Sequence, residues 1–174
     1  EADGVTGTRN DPGDLGSLRR TYRGVSLSDA ARRRLAGERR FLDWSDAPRR
    51  CLMAYPSPYR VGMSALGYQQ IYRAILAEPG WTAVRAFNDV DGGGPQSRPF
   101  VYELGGAIDR PDVIAFSVSY ELEIAGVVQM LTRLGLEPLR RDRRDDDPPV
   151  IIGGPLTFSN PTPLLPYCDV LICG

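Results

Sequence analysis

"DVIAFSVSYELEIAGVVQMLTRLGL", residues 112–136, is the stretch whose reading decides the fold. Asp112 to Ser119 is an almost unbroken apolar run, the pattern of a central parallel strand covered on both faces. The period then changes. Leu122, Ile124, Val127, Val128, Met130, Leu131 and Leu134 mark a helical face that stops at Gly135. A strand running straight into a helix is half of a β-α-β unit, the connection that parallel strands require.

Working outward, the same alternation recurs on both sides. "RCLMAYP", Arg50 to Pro56, is a short apolar run closed by proline. In "GMSALGYQQIYRAILAEPG", which follows, Met63, Leu66, Ile71, Ile75 and Leu76 approximate a helical face ended by Pro79-Gly80. "WTAVRAF", Trp81 to Phe87, alternates as a strand, and "NDVDGGGPQSRP" after it is a loop. Beyond the decisive stretch, "RRDRRDDDPP" reads as a solvated connection and "VIIGGP", Val150 to Pro155, as a fourth strand. "TPLLPYC" is a short helix and "DVLICG" a fifth strand. Five strands alternating with helix-length segments predict an α/β, flavodoxin-like (Rossmann-like) parallel sheet in the order 2-1-3-4-5. Because such a sheet ordinarily carries a further helix after its fifth strand, the chain reads as part of something longer.

The predicted domain spans 50–174, and 1–49 is an N-terminal extension. Glu1 to Gly16 is rich in Gly, Asp, Asn and Pro and has too little apolar content to offset its ordering entropy. "SDAARRRLAGERRFL", Ser28 to Leu42, predicts a short helix with Ser28 as N-cap, Asp29 in its first turn and a solvated arginine face.

Composition narrows the chemistry. The 174 residues carry 21 basic and 22 acidic side chains, a formal net charge of -1, so charge balance predicts no nucleic-acid partner. The sequence has no histidine, and every basic residue is arginine. Imidazole acid-base chemistry, histidine-metal ligation and lysine Schiff bases are therefore excluded for these residues. Cys51, Cys168 and Cys173 lie at the edges of strand-like runs, as reduced core thiols do. No apolar run approaches the roughly 20 residues that cross a bilayer, and no stretch has the make-up of a signal peptide. The expected compartment is the cytoplasm, with no membrane partner.

In this strand order, ligands bind where the direction of winding reverses, between the first and third strands at their carboxyl ends. Three loops meet there. Ser57, Tyr59, Arg60, Gly62 and Met63 follow the first strand; Ser117, Ser119 and Tyr120 the third; Gly153, Gly154 and Pro155 the fourth. Glycines that permit close backbone approach, beside neutral hydroxyls, suit a small-molecule cofactor. Each loop alone reads more readily as an ordinary turn, and it is the meeting of three at one edge that brings in the pocket reading. Neither G-x-G-x-x-G nor G-x-x-x-x-G-K-[ST] is present. Glu121 and Glu123 sit at a predicted helix N-terminus, where the macrodipole stabilises carboxylates with no catalytic role. The residues offer no catalytic set and no metal ligands.

The wording of the loops adds a resemblance. "AYPSPYRVGMSALGYQQIY" (54–72), "DVIAFSVSYELEIAGVVQML" (112–131) and "VIIGGPLTFSNPTPLLPYCDVLICG" (150–174) together resemble the N-terminal, B12-binding-like domain of radical S-adenosylmethionine (SAM) proteins. The resemblance implies an accessory cofactor-binding domain beside a catalytic barrel, its partner, whose Cys-x-x-x-Cys-x-x-Cys motif holds a [4Fe-4S] cluster that cleaves SAM. The three cysteines here do not form that triplet, so cluster and SAM are expected only in the catalytic domain. The implied cofactor of the present residues is cobalamin, through the serine loop after the third strand and the Gly-Gly after the fourth. Domains that ligate cobalamin with histidine carry Asp-x-His-x-x-Gly after the first strand, and Ser57 to Gly67 departs from that pattern. Cobalamin would then sit without an imidazole, with Tyr59, Arg60 or Met63 near its lower face. The alternative is a non-catalytic interaction or substrate-docking domain with a degenerate crevice. A flavodoxin-type electron carrier or a receiver-type switch fits less well, since Ser117 stands where a receiver carries aspartate.

Overall fold

Side chains of a strand alternate between the two faces of its sheet, and β1 (Arg49–Tyr55) shows what each face becomes. Leu52 and Ala54 enter one core with Val84, Ala86, Ile114, Phe116 and Ile152, whereas Cys51, Met53 and Tyr55 enter a second, aromatic core with Tyr59, Tyr68, Phe87 and Tyr102. The computed structural model describes residues 29–38, 44–89 and 97–173. The expectations for Glu1 to Gly16, for Ser28 as N-cap and for the helix end beyond Glu38 lie outside these residues.

The elements run α1 (Asp29–Gly37), β1, α2 (Tyr59–Gly62), α3 (Leu66–Ala77), β2 (Trp81–Phe87), β3 (Val113–Ser117), α4 (Glu123–Arg133), β4 (Val150–Gly153), α5 (Leu156–Ser159) and β5 (Val170–Leu171). Short 3-10 turns at Arg140–Asp142 and Thr162–Tyr167 flank β4, the second being the predicted "TPLLPYC" element. The sheet order is β2-β1-β3-β4-β5, every pair parallel, as the alternating pattern predicts. Aspartates fasten the amino ends of two strands. Asp112 accepts the Arg50 N–H at 2.7 Å, and Asp169 accepts the Val150 N–H at 2.8 Å.

Two helical faces differ from the sequence reading. In α3, Leu66 and Ile71 are exposed, and Tyr68 is buried in their place, its hydroxyl donating to the Met53 carbonyl at 2.9 Å. A tyrosine reaching a carbonyl over the strand anchors that helix, with Tyr72, Ile75 and Leu76 packed beside it. In α4, Leu122 is 83% exposed while Glu123 is 2% exposed, the reverse of the apolar count. Hydrogen-bond donors from two loops draw the carboxylate inward.

Coverage of the aromatic face is uneven. One row of paired residues crosses the sheet as Arg85, Met53, Ala115, Ile151 and Val170. Arg85 and Met53 are buried, Ala115 and Ile151 are half-buried, and Val170 is exposed. This face is thus packed over β2 and β1 and opens progressively over β3, β4 and β5.

Close packing of α4 on the β1 loop depends on Gly126, where an added Cβ would overlap the Pro56 carbonyl oxygen. Gly67 has nothing within 4 Å of such a Cβ. Gly126→Ala is expected to destabilise the chain by about 1–3 kcal/mol or more. Gly67→Ala is expected to stabilise it by a few tenths to about 1 kcal/mol. Urea unfolding of both variants checks the opposite signs.

Candidate functional site

The switch-point crevice lies between the loop that leaves β1 at Tyr55 and the loop that leaves β3 at Ser117, and Glu123 spans it. Its Oε1 accepts the Ser57 hydroxyl at 2.6 Å from the first loop, and its Oε2 accepts the Ser119 N–H at 2.6 Å from the second. Tyr55 Oη and Ser119 Oγ share a further hydrogen bond of 2.8 Å. Burial is the main cause that raises the Tyr55 phenol above its ordinary range, so it stays a protonated hydroxyl at neutral pH. Gly126 is seated against Pro56, and the Glu123 carboxylate joins the two loops like a bolt.

The next pair of loops is equally tight. Val118 N–H donates to the Gly153 carbonyl at 2.8 Å and Leu156 N–H to the Val118 carbonyl at 3.1 Å. Gly154 has φ +108, and a Cβ there would crowd the Val118 backbone and the Ser117 hydroxyl. Glycine is needed at this position both for its dihedral angle and for the approach of the β3 loop.

The structure thus brings together Ser57, Ser117, Ser119, Gly153 and Gly154 among the residues expected to hold a cofactor. Tyr59 and Met63 lie elsewhere, on the aromatic face. The Tyr59 ring stacks on Tyr102 at 4.9 Å between centroids, and the Met63 sulfur lies 3.2 Å from the Arg85 guanidinium. Gly62 is wedged against Phe87 and Tyr55, while Arg60, Tyr120 and Pro155 are exposed.

A second polar centre, under α1, was not read from the sequence. Arg85 is buried on β2 between two carboxylates. Its Nε pairs with Glu103, and its terminal nitrogens donate to Glu38 at 3.1 and 2.9 Å. Tyr72 donates to Glu103 at 3.0 Å and Tyr59 to Glu38 at 2.7 Å. Burial works against the Arg85 charge, but Glu103 and Glu38 more than offset it, and the group is held firmly cationic. Alternation along β2 places Arg85 on the inward face, a detectable signal, but its acidic partners stand 18 and 47 positions away in the chain.

Residues 67–174 match the family described as radical SAM proteins, N-terminal. The chain belongs to that family. The match takes in the bolt residues Ser119 and Glu123, the Gly153-Gly154 turn and four of the five strands, with β1 and α1 on its amino-terminal side. Searches of curated proteins and of solved structures matched nothing.

This radical SAM N-terminal region has thiols, but they are not placed to hold a metal. Cys51 and Cys168 are buried and Cys173 is exposed, and no group of three metal-capable side chains occurs among the described residues. No helix among them is long and apolar enough to cross a membrane.

Burial pushes the Cys51 thiol up to about 12, so it stays protonated through the neutral range. A disulfide reagent at pH 8 is expected to label Cys173 rapidly in the native protein and Cys51 only after unfolding, as read by peptide mapping. For the bolt, Glu123→Gln keeps one good acceptor and is expected to cost about 1–2 kcal/mol. Glu123→Ala strands the Ser57 hydroxyl and the Ser119 amide and is expected to cost about 3 kcal/mol or more. Faster hydrogen exchange at the Ser119 amide in both variants, ranked in that order, checks the assignment.

Proposed function

We propose that this chain is a non-catalytic N-terminal module of a radical SAM protein, and that the open half of its sheet face is covered by the part of that protein that follows β5. One observation carries the reading. Val113, Ala115, Ile151, Val170 and Ile172 leave an apolar strip incompletely covered across β3, β4 and β5. Val170 and Ile172 are about half exposed, at 47% and 55%. Contiguous exposed apolar surface on a soluble fold marks an interaction site.

The strip continues onto the carboxyl edge. Ile172 lies 3.7 Å from the position of a Cβ on Gly153, and Phe158, 70% exposed, follows on α5. Tyr120 and Leu122 extend the apolar character to the loop after β3. From Gly153 to Cys168 the sequence contains no charged residue, whereas "RRDRRDDD" crowds the connection before β4. A neutral, apolar edge suits a protein partner better than a nucleic acid.

The residues present do not fit cobalamin. Its place between β1 and β3 is bridged by the Glu123 bolt and by Gly126 against Pro56, and the sequence supplies no imidazole. Nor do Cys51, Cys168 and Cys173 fit a [4Fe-4S] cluster. On this reading cluster and SAM belong to the catalytic domain, and the crevice serves as a rigid scaffold.

Two measurements test the proposal. Incubation with hydroxocobalamin followed by gel filtration is expected to give a colourless protein peak; co-eluting colour would return the crevice to cofactor binding. In the full-length protein, Val170→Glu and Ile172→Glu are expected to leave the circular dichroism unchanged while increasing the radius of gyration and the cutting between domains by protease. An unchanged radius and unchanged cutting in both variants would sink the docking assignment.

A further inference from the structure

Outside the bolt and the open face, a third feature is built like a binding site. Asp89, just after β2, Tyr59 on α2 and Tyr102 form three sides of a box that holds the guanidinium of Arg34 from α1. Arg34 donates to Asp89 Oδ2 at 2.7 Å and to the Tyr102 hydroxyl at 2.6 Å, with its Cζ 5.1 Å from the centroid of the Tyr59 ring. Carboxylate, phenol and aromatic face are the three complements of a guanidinium: charge-assisted hydrogen bonds in its plane and a π surface against it.

The box is fastened by contacts that do not involve α1. Asp89 Oδ2 also accepts the Tyr59 N–H at 3.2 Å and the Tyr102 hydroxyl at 3.2 Å. Tyr59 and Tyr102 stack on each other, and both make edge contacts with Phe87. α1 has 9 residues, shorter than a helix that persists alone in water. Among its described side chains only Ala31 is fully buried, with Leu35 half-buried. Its polar contacts include Arg34 in the box and, one turn on, Glu38 bridging Tyr59 and Arg85.

We propose that Asp89, Tyr59 and Tyr102 form a site for an alkylguanidinium cation, filled in cis by Arg34 and open to a guanidinium supplied in trans when Arg34 leaves it. Tyr59 serves two subsites, its ring face beneath the guanidinium and its hydroxyl on the Glu38 carboxylate. The matching ligand is therefore a guanidinium with a carboxylate nearby, as in a helix carrying Arg-x-x-x-Glu or in a free guanidino acid.

The test uses the full chain with Arg34→Ala and ethylguanidinium at millimolar concentration. The expected result is a saturable shift of the Tyr59 and Tyr102 ring resonances together with a rise in melting temperature. Both effects should be at least about tenfold weaker in the wild type, where Arg34 competes, and absent in Arg34→Ala/Asp89→Asn. Arg34→Gln, closer in size, is run in parallel so that a folding defect of the alanine variant does not decide the outcome. Comparing L-arginine with the peptide DAARRRLAGE distinguishes the sources. Tighter binding of the peptide, lost when its third arginine or its glutamate becomes alanine, identifies a protein helix, whereas equal or tighter binding of L-arginine identifies a small molecule. No saturable shift in either Arg34 variant, or the same shift with Asp89→Asn, overturns the proposal.

Discussion

Glu123 carries two loops on one carboxylate, and the ligand edge of the sheet depends on that bond. The order β2-β1-β3-β4-β5 sends the chain in opposite directions from β1 and from β3, so the loops that follow these strands would diverge and leave a crevice. Here the Ser57 hydroxyl and the Ser119 amide both end on Glu123, and the missing side chain of Gly126 lets α4 close on Pro56. A carboxylate taken out of water needs its lone pairs filled, and these donors supply the acceptor sites with partners at short distance.

The two faces of the sheet then divide the remaining work. The face of Leu52, Ile114 and Ile152 is sealed by α4 and by the turn at Thr162–Tyr167. Among the described residues the opposite face is packed over β2 and β1, where α3, the aromatic cluster and α1 lie, and Ala115, Ile151 and Val170 become more exposed in turn. Buried apolar area is the main favourable term in folding, and the apolar strip left open on this face is what the proposal of a covering surface rests on. Charge follows the same asymmetry, dense near the amino ends of the later strands and scarce at the carboxyl edge.

Much of the architecture was legible because it rests on periodicity. The run from Val113 to Ser117 and the repeat through Val127, Met130 and Leu131 fix a strand and the buried face of the helix after it, whatever lies elsewhere in the chain. Trp81–Phe87 falls where alternation put it. The reading failed where polar groups displaced apolar ones: Glu123 inward and Leu122 outward, Tyr68 inward and Leu66 outward. In each case a hydrogen-bond partner from a distant loop or strand outweighs the local apolar count. Ser57, Ser119 and Gly154 were found from their loops, but the bolt that joins two of them was not.

Local period and composition were enough to read the α/β class and the absence of histidine and lysine chemistry from the chain; the strand order followed from the repeated β-α-β pattern, and the radical SAM family from the resemblance carried by three loops. It took the folded chain to show that Glu123 joins the loops after β1 and β3, that Arg85 lies between Glu38 and Glu103, and that Arg34 fills a box of Tyr59, Asp89 and Tyr102. The reason is energetic. A charged side chain is buried only where its partners meet it, and the Ser57 partner of Glu123 stands 66 positions away along the chain. Nothing in the neighbourhood of Glu123 in the sequence encodes that meeting; the folding of the sheet brings it about.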